Sequence, residues 1–124
     1  MTPAMMKKFG IEICYADFTD HSEMAAGLSD KTKVVYFETP VNPNMRMIDI
    51  AAISSLVKAY SPNIKVIVDN TYCTPVLQRP LTLGADLVVH SATKYLGGHG
   101  DLIAGAVVGD AETIQQIRLF GLKD

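Results

Sequence analysis

Apolar and polar positions change their period several times along the chain, and each change marks an element. Within residues 9–18 the run Ile11-Glu12-Ile13-Cys14-Tyr15 is apolar at alternate positions, the two-residue period of a strand. Asp20 followed by Glu23 predicts a helix start with a reciprocal cap. A short helix through Met24, Ala25, Ala26 and Leu28 then ends in the turn Ser29-Asp30-Lys31-Thr32. Val34-Val35-Tyr36-Phe37 is continuously apolar, which predicts a strand buried on both faces. Ile50, Ile53, Val57 and Tyr60 recur at helical spacing behind Asp49, a good capping residue, so a helix over 50–60 should lay that stripe on a sheet and stop before Pro62. Met45 and Met47, just ahead of it, read as packing residues. Apolar runs over 64–68, 86–89 and 104–109 predict three further strands. Arg79-Pro80-Leu81 and Gly84 bound a loop or short helical turn between the first two of these. Asp110 caps a last helix carrying Ile114, Ile117 and Phe120, with Gly121 suited to its C-terminal turn.

Strands alternating with helices predict an α/β fold: a mostly parallel sheet with flanking helices. The 124 residues, 48% hydrophobic, are enough for one domain with a core. A net charge of −2 offers no basic face for nucleic acid. No apolar run approaches the roughly 20 residues of a membrane span, and the start of the chain lacks the apolar core of a leader. Cys14 and Cys73 form no CxxC pair and read as reduced thiols of a cytoplasmic protein. His90 and His99 lack the spacing of metal ligands, so no metal site is expected.

The candidate chemistry lies just past strand ends, where α/β sheets bind ligands. The strand over 86–89 runs into His90-Ser91-Ala92-Thr93-Lys94-Tyr95, followed by Gly97-Gly98-His99-Gly100. A lysine there that loses its proton can attack an aldehyde to form a Schiff base. Ser91 and Thr93 offer hydroxyl donors for phosphate oxygens. Phosphate, aldehyde and Schiff base together describe pyridoxal phosphate. The same stretch reads equally well as a polar loop with a solvated lysine. Asp69, at the end of Ile64-Lys65-Val66-Ile67-Val68-Asp69, shifts the balance, because a carboxylate beside a pyridine nitrogen keeps that nitrogen protonated and the ring a better electron sink. Glu38-Thr39-Pro40-Val41-Asn42-Pro43 forms another strand-end loop, its prolines forbidding helix. By residue type alone, Asn42 reads as a plain turn residue. Cys73 reads as a small filler rather than an activated thiol.

The Val-Asp-Asn-Thr run at 68–71 and the Ser-Ala-Thr-Lys-Tyr run at 91–95 resemble the Cys/Met-metabolism family of pyridoxal-phosphate enzymes, over residues 9–124. The runs at 69–75 and 83–90 are most similar to its methionine γ-lyase branch. The resemblance implies part of the aminotransferase-like (type I) fold, with an antiparallel strand at 104–109. It implies that Lys94 carries pyridoxal 5'-phosphate, that Asp69 faces the ring nitrogen, that Ser91 and Thr93 hold the phosphate, and that Asn42 faces the phenolic oxygen. It implies a carbon–sulfur lyase acting on a sulfur-containing amino acid, methionine or, in sister branches, cystathionine or O-acetylhomoserine, in a homotetramer. Enzymes of the family are several-fold longer. Residues 1–124 are therefore expected to form part of the large cofactor-binding domain, without its N-terminal flank or the C-terminal domain. The stacking tyrosine and the carboxylate-binding arginine of the family should lie outside these residues. Such a piece is expected to have little or no activity alone. The remaining alternative is a catalytically silent remnant.

Overall fold

A computed structural model describes residues 3–121. Met1 and Thr2, which belong to the stretch read above for a leader, lie outside the described residues. The order is α1 (Pro3–Lys8), α2 (His21–Ala26), β1 (Val34–Glu38), α3 (Ile50–Tyr60), β2 (Lys65–Asp69), α4 (Thr74–Leu77), a 3-10 turn (Pro80–Leu83), β3 (Leu87–Ser91), β4 (Gly105–Gly109) and α5 (Ala111–Gly121). The four strands form one sheet in the order β1-β2-β3-β4. The first three are parallel, and β4 runs antiparallel to β3. The expected α/β architecture and the reversed strand after the lysine are both present.

The core lies on one face of the sheet. Val35 and Phe37 of β1, Val66 and Val68 of β2 and Val88 of β3 are all buried there. Against them pack Ile50, Ile53 and Val57 of α3, with Met24 of α2 and Ile48. Phe18 packs on Phe37 at a centroid separation of 5.1 Å. Asp49 caps α3 by accepting from the Ala52 N–H at 3.0 Å. Tyr60 departs from the predicted stripe: at the last turn of α3 it projects beyond the sheet and is exposed. Asp86, at the entry to β3, ties the layers together. It accepts from Lys58 Nζ of α3 at 2.8 and 3.0 Å and from the Val66 N–H of β2 at 2.7 Å.

The opposite face is much less covered, which overturns the prediction that β1 is buried on both sides. Its burial alternates, with Val34 and Tyr36 exposed and Val35 and Phe37 buried, because the α2 and α3 core occupies only one face. The predicted strand at 11–15 is likewise not formed. A strand needs a neighbour for its N–H and C=O groups. Among the described residues this stretch pairs with none, and Ile11, Ile13 and Tyr15 stay exposed. Met45 and Met47 are exposed rather than packed, and the apolar stripe of α5 is not buried. Gly121 is the last residue of α5 rather than a turn beyond it. The cap at Asp20 forms, but Glu23 answers it differently. Its carboxylate accepts from the Asp17 N–H at 3.0 Å instead of the Asp20 N–H. The helices α1 and α4 are additional to the predicted elements.

Candidate active site

The less covered face carries the polar groups. Side chains alternate along a strand, and the register pairs Glu38 with Asp69 and Asp69 with Val89. Tyr36, Glu38, Asp69 and Ser91 therefore share one face, toward the carboxyl ends of three parallel strands. His90, between Val89 and Ser91, points to the other face and is buried.

Asp69 is held from two sides. Its Oδ1 accepts from the Thr71 N–H at 3.0 Å, closing a turn as the chain leaves β2. Its Oδ2 accepts from the Tyr36 hydroxyl at 3.1 Å. Burial, reinforced by the Asp69 carboxylate and more weakly by Glu38, pushes the Tyr36 phenol up to about 12, so it stays a donor. Thr71 also reaches the next strand, since its hydroxyl accepts from the Ser91 N–H at 2.8 Å. The Ser91 carbonyl in turn accepts from the Lys94 N–H at 3.0 Å. One chain of hydrogen bonds thus links Tyr36, Asp69, Thr71, Ser91 and the turn bearing Lys94.

That turn is tight. The Gly97 N–H donates to the Ala92 carbonyl at 2.7 Å, and a Cβ on Gly97 would stand 2.8 Å from that oxygen. At Gly97 the absence of a side chain lets the backbone close on itself. The Tyr95 ring meets Tyr72 edge-on at 6.5 Å. Lys94 is exposed, and no described residue forms a salt bridge or hydrogen bond with its Nζ. The Ser91 hydroxyl is similarly unengaged among the described residues. Thr93 is not: its hydroxyl accepts from the Ala104 N–H at 2.9 Å and donates to the Ala104 carbonyl at 3.2 Å, closing the loop between β3 and β4. Asn42 is exposed, and its backbone N–H donates to Glu38 Oε2 at 3.2 Å, which anchors its loop beside Asp69.

Sequence reasoning missed Tyr36, Thr71 and a buried amide pair. Asn70 donates to the Gln78 carbonyl at 2.9 Å, while Gln78 Nε2 donates to Asn70 Oδ1 at 2.9 Å and to the Thr39 carbonyl at 3.0 Å. This pair fastens the loop carrying Asn42 to the loop after Asp69. Between them Thr74 is held at a φ of 62°, unusual for a β-branched residue, with its N–H on the Asn70 carbonyl. The only advance signal for Tyr36 is its two-residue offset from Glu38. A hollow of about 490 Å³ lies beside β1, lined by Tyr15, Phe18, Tyr36, Glu38 and Arg46 among others, with Arg46 paired to Asp17 at 2.9 Å. Lys94 and Ser91 are not part of its lining.

The sequence profile of the Cys/Met metabolism PLP-dependent enzymes matches residues 1–122. The chain is 56% identical to L-methionine gamma-lyase from Treponema denticola over 119 residues, which is 96% of the chain and 30% of that protein. It is 54% identical to the enzyme of the same name from Pseudomonas putida, covering 94% of the chain and 29% of the relative. The crystal structure of cystathionine gamma-lyase from Lactobacillus plantarum in complex with L-serine superimposes with a TM-score of 0.85 at 42% identity, covering 91% of the chain and 29% of the other. The chain thus spans about a third or less of the length of the relatives it matches.

Proposed function

Because the chain belongs to the Cys/Met metabolism PLP-dependent enzyme family, we propose that it is the cofactor-carrying part of a carbon–sulfur lyase that converts methionine and water to methanethiol, ammonia and 2-oxobutanoate. The observation that carries the reading is the donor set on one sheet face: a clamped carboxylate, Asp69, and the unengaged Ser91 hydroxyl one strand over, in the strand that leads into Lys94. A carboxylate, a hydroxyl and an amine are the groups that the pyridine nitrogen, the phosphate and the aldehyde of pyridoxal 5'-phosphate require, so the residues present fit the group.

Lys94 would hold the aldehyde carbon, Asp69 the ring nitrogen, Ser91 and Thr93 the phosphate, and Asn42 the phenolic oxygen. When bound, pyridoxal phosphate supplies an electron sink for charge released at the substrate Cα. With its amine free, Lys94 would act as the base that takes the substrate Cα proton and then moves protons at Cβ, which would let the thiolate leave from Cγ. The Asp69 carboxylate would oppose loss of the ring-nitrogen proton. Thr93 would hold the phosphate by turning its O–H away from the Ala104 carbonyl to donate to a phosphate oxygen.

Identity to proteins named L-methionine gamma-lyase favours methionine. The superposition on a cystathionine gamma-lyase favours cystathionine as the second reading. Two free cysteines, Cys14 and Cys73, fit a cytoplasmic setting, and the exposed apolar side chains fit a homotetramer. The test is borohydride trapping of the chain after incubation with pyridoxal phosphate and dialysis, followed by peptide mass mapping. Label on Lys94, lost in Lys94→Ala, is the expected result. Label scattered over several surface lysines would overturn the assignment. Turnover of the full-length parent with methionine, cystathionine, and O-acetylhomoserine plus sulfide then separates the substrates.

A further inference from the structure

We infer that Tyr36 is a positioning residue for this site: its hydroxyl fixes the Asp69 carboxylate in the orientation in which it would meet the ring nitrogen. The inference rests on the proposed role of Asp69 and goes beyond it.

The geometry carries it. Asp69 is the last residue of β2, where a strand-end side chain is free to rotate. Two donors remove that freedom. The Thr71 N–H donates to Oδ1 at 3.0 Å and the Tyr36 hydroxyl to Oδ2 at 3.1 Å, so each carboxylate oxygen is held by its own donor. The two residues are far apart in sequence and meet only because the β1–β2 register places Tyr36 diagonally across from Asp69. Tyrosine suits the task, for it reaches far with only two torsions to order. Each carboxylate oxygen accepts more than one hydrogen bond, so the clamp leaves Asp69 able to face a ligand. A purely structural role fits poorly. The Tyr36 side chain is 52% exposed and stands on the face opposite the core. Its hydroxyl makes one hydrogen bond among the described residues, and that bond is to Asp69.

The test is a double-mutant cycle of Tyr36→Phe and Asp69→Asn on this chain. Its readouts are the dissociation constant of pyridoxal phosphate and the ionisation of the phenols, followed by NMR with ¹³C-labelled tyrosine. Tyr36→Phe should weaken cofactor binding about threefold to tenfold, the scale of one charge-assisted hydrogen bond at a half-exposed site. It should leave the urea midpoint unchanged. In the Asp69→Asn background the same substitution should have no effect on binding. The resonance lost in Tyr36→Phe identifies the Tyr36 phenol, pushed up to about 12 first by burial and then by Asp69, and Asp69→Asn should lower it part of the way. An equal effect of Tyr36→Phe in both backgrounds, or none in either, would overturn the inference. A wild-type chain that binds pyridoxal phosphate away from Lys94, or not at all, would instead overturn the functional reading. The phenol titration would then still decide whether Tyr36 clamps Asp69.

Discussion

At the scale of single residues, the clearest structural dependence is on Asp86. It is the shared acceptor for Lys58 and for the Val66 N–H, and its side chain is 19% exposed. Removing it leaves the Val66 N–H without its partner and the Lys58 ammonium without a counter-charge, held only by the Ile64 and Pro62 carbonyls, in a partly dry setting. Asp86→Ala should cost about 2–3 kcal/mol of stability, read as a lower urea midpoint with an unchanged slope. Lys58→Met, which keeps the packing of the stem, should cost less. Three other carboxylates are depressed below the ordinary aspartate value of 3.8: Asp17 chiefly by the Thr19 hydroxyl, Asp20 by the Ser22 hydroxyl, and Asp110 by the Thr113 hydroxyl. A depressed folded-state value means that the unfolded chain binds the proton first. Their stabilisation is present above the ordinary value of 3.8 and is lost as pH falls through the folded values. Tyr36 has the opposite sign. Its phenol is harder to ionise in the fold than in the unfolded chain, so stability holds below pH 10 and falls between 10 and about 12. Thermal melts across pH should therefore fall off at both ends. Asp110→Asn should flatten the acid limb, and Tyr36→Phe the alkaline one.

Residues of the candidate site were legible in the sequence in proportion to how local their signals are. Asp69, Ser91 and Lys94 sit at the ends of short apolar runs, where strand length alone fixes their place. Tyr36, Thr71 and Gln78 act across strands and loops. Their partners depend on a register that no local pattern encodes, so Tyr36 reads only as one more apolar residue of a buried strand.

At the scale of elements, α3 and the three parallel strands were readable because cap, period and stop agree within each stretch. Asp49, the stripe Ile50-Ile53-Val57 and Pro62 each predict the same helix, and the helix spans Ile50–Tyr60. The stretch 11–15 has a strand's period without a strand's neighbour, and periodicity cannot supply the neighbour. The turn from Ser91 to Gly97 carries Lys94, the proposed attachment point. Its closure depends on the absence of a side chain at Gly97, where a Cβ would meet the Ala92 oxygen at 2.8 Å and Leu102 at 3.1 Å. The clash is with backbone on one side, so a rotamer change cannot relieve it. Gly97→Ala should open the turn, cost about 1–3 kcal/mol, and reduce borohydride labelling at Lys94 more than it reduces helix content by circular dichroism. Gly100→Ala is the control for crowding. A Cβ on Gly100 would meet nothing within 4 Å, though the φ of 68° there carries some backbone strain. Equal labelling in Gly97→Ala and wild type would mean that the turn does not set the position of the lysine.

At the scale of the whole molecule, the fold is one-sided. Among the described residues, a single helical layer with α3 at its centre covers one face of the sheet, and β1 pairs on one edge only. Along its other edge no described strand takes up the backbone donors and acceptors, beside exposed Val34 and Tyr36. Ile11, Ile13 and Tyr15 add more exposed apolar surface nearby, and Tyr15 lines the same hollow as Tyr36. An unpaired edge flanked by apolar side chains is a template for another strand. A net charge of −2 offers little repulsion against association. The chain alone should therefore associate with rising concentration, visible as a growing mass in sedimentation velocity. Val34→Lys places a charge on that edge without touching the core, since Val34 is 49% exposed, and should shift the distribution toward monomer. Val108→Lys, on the opposite edge strand and 46% exposed, tests whether the effect belongs to β1 or to any open edge. A shift with Val34→Lys alone would assign the association to β1. A chain that stays monomeric throughout would mean that the exposed edge is protected by its own twist and that uncovered apolar surface does not drive association.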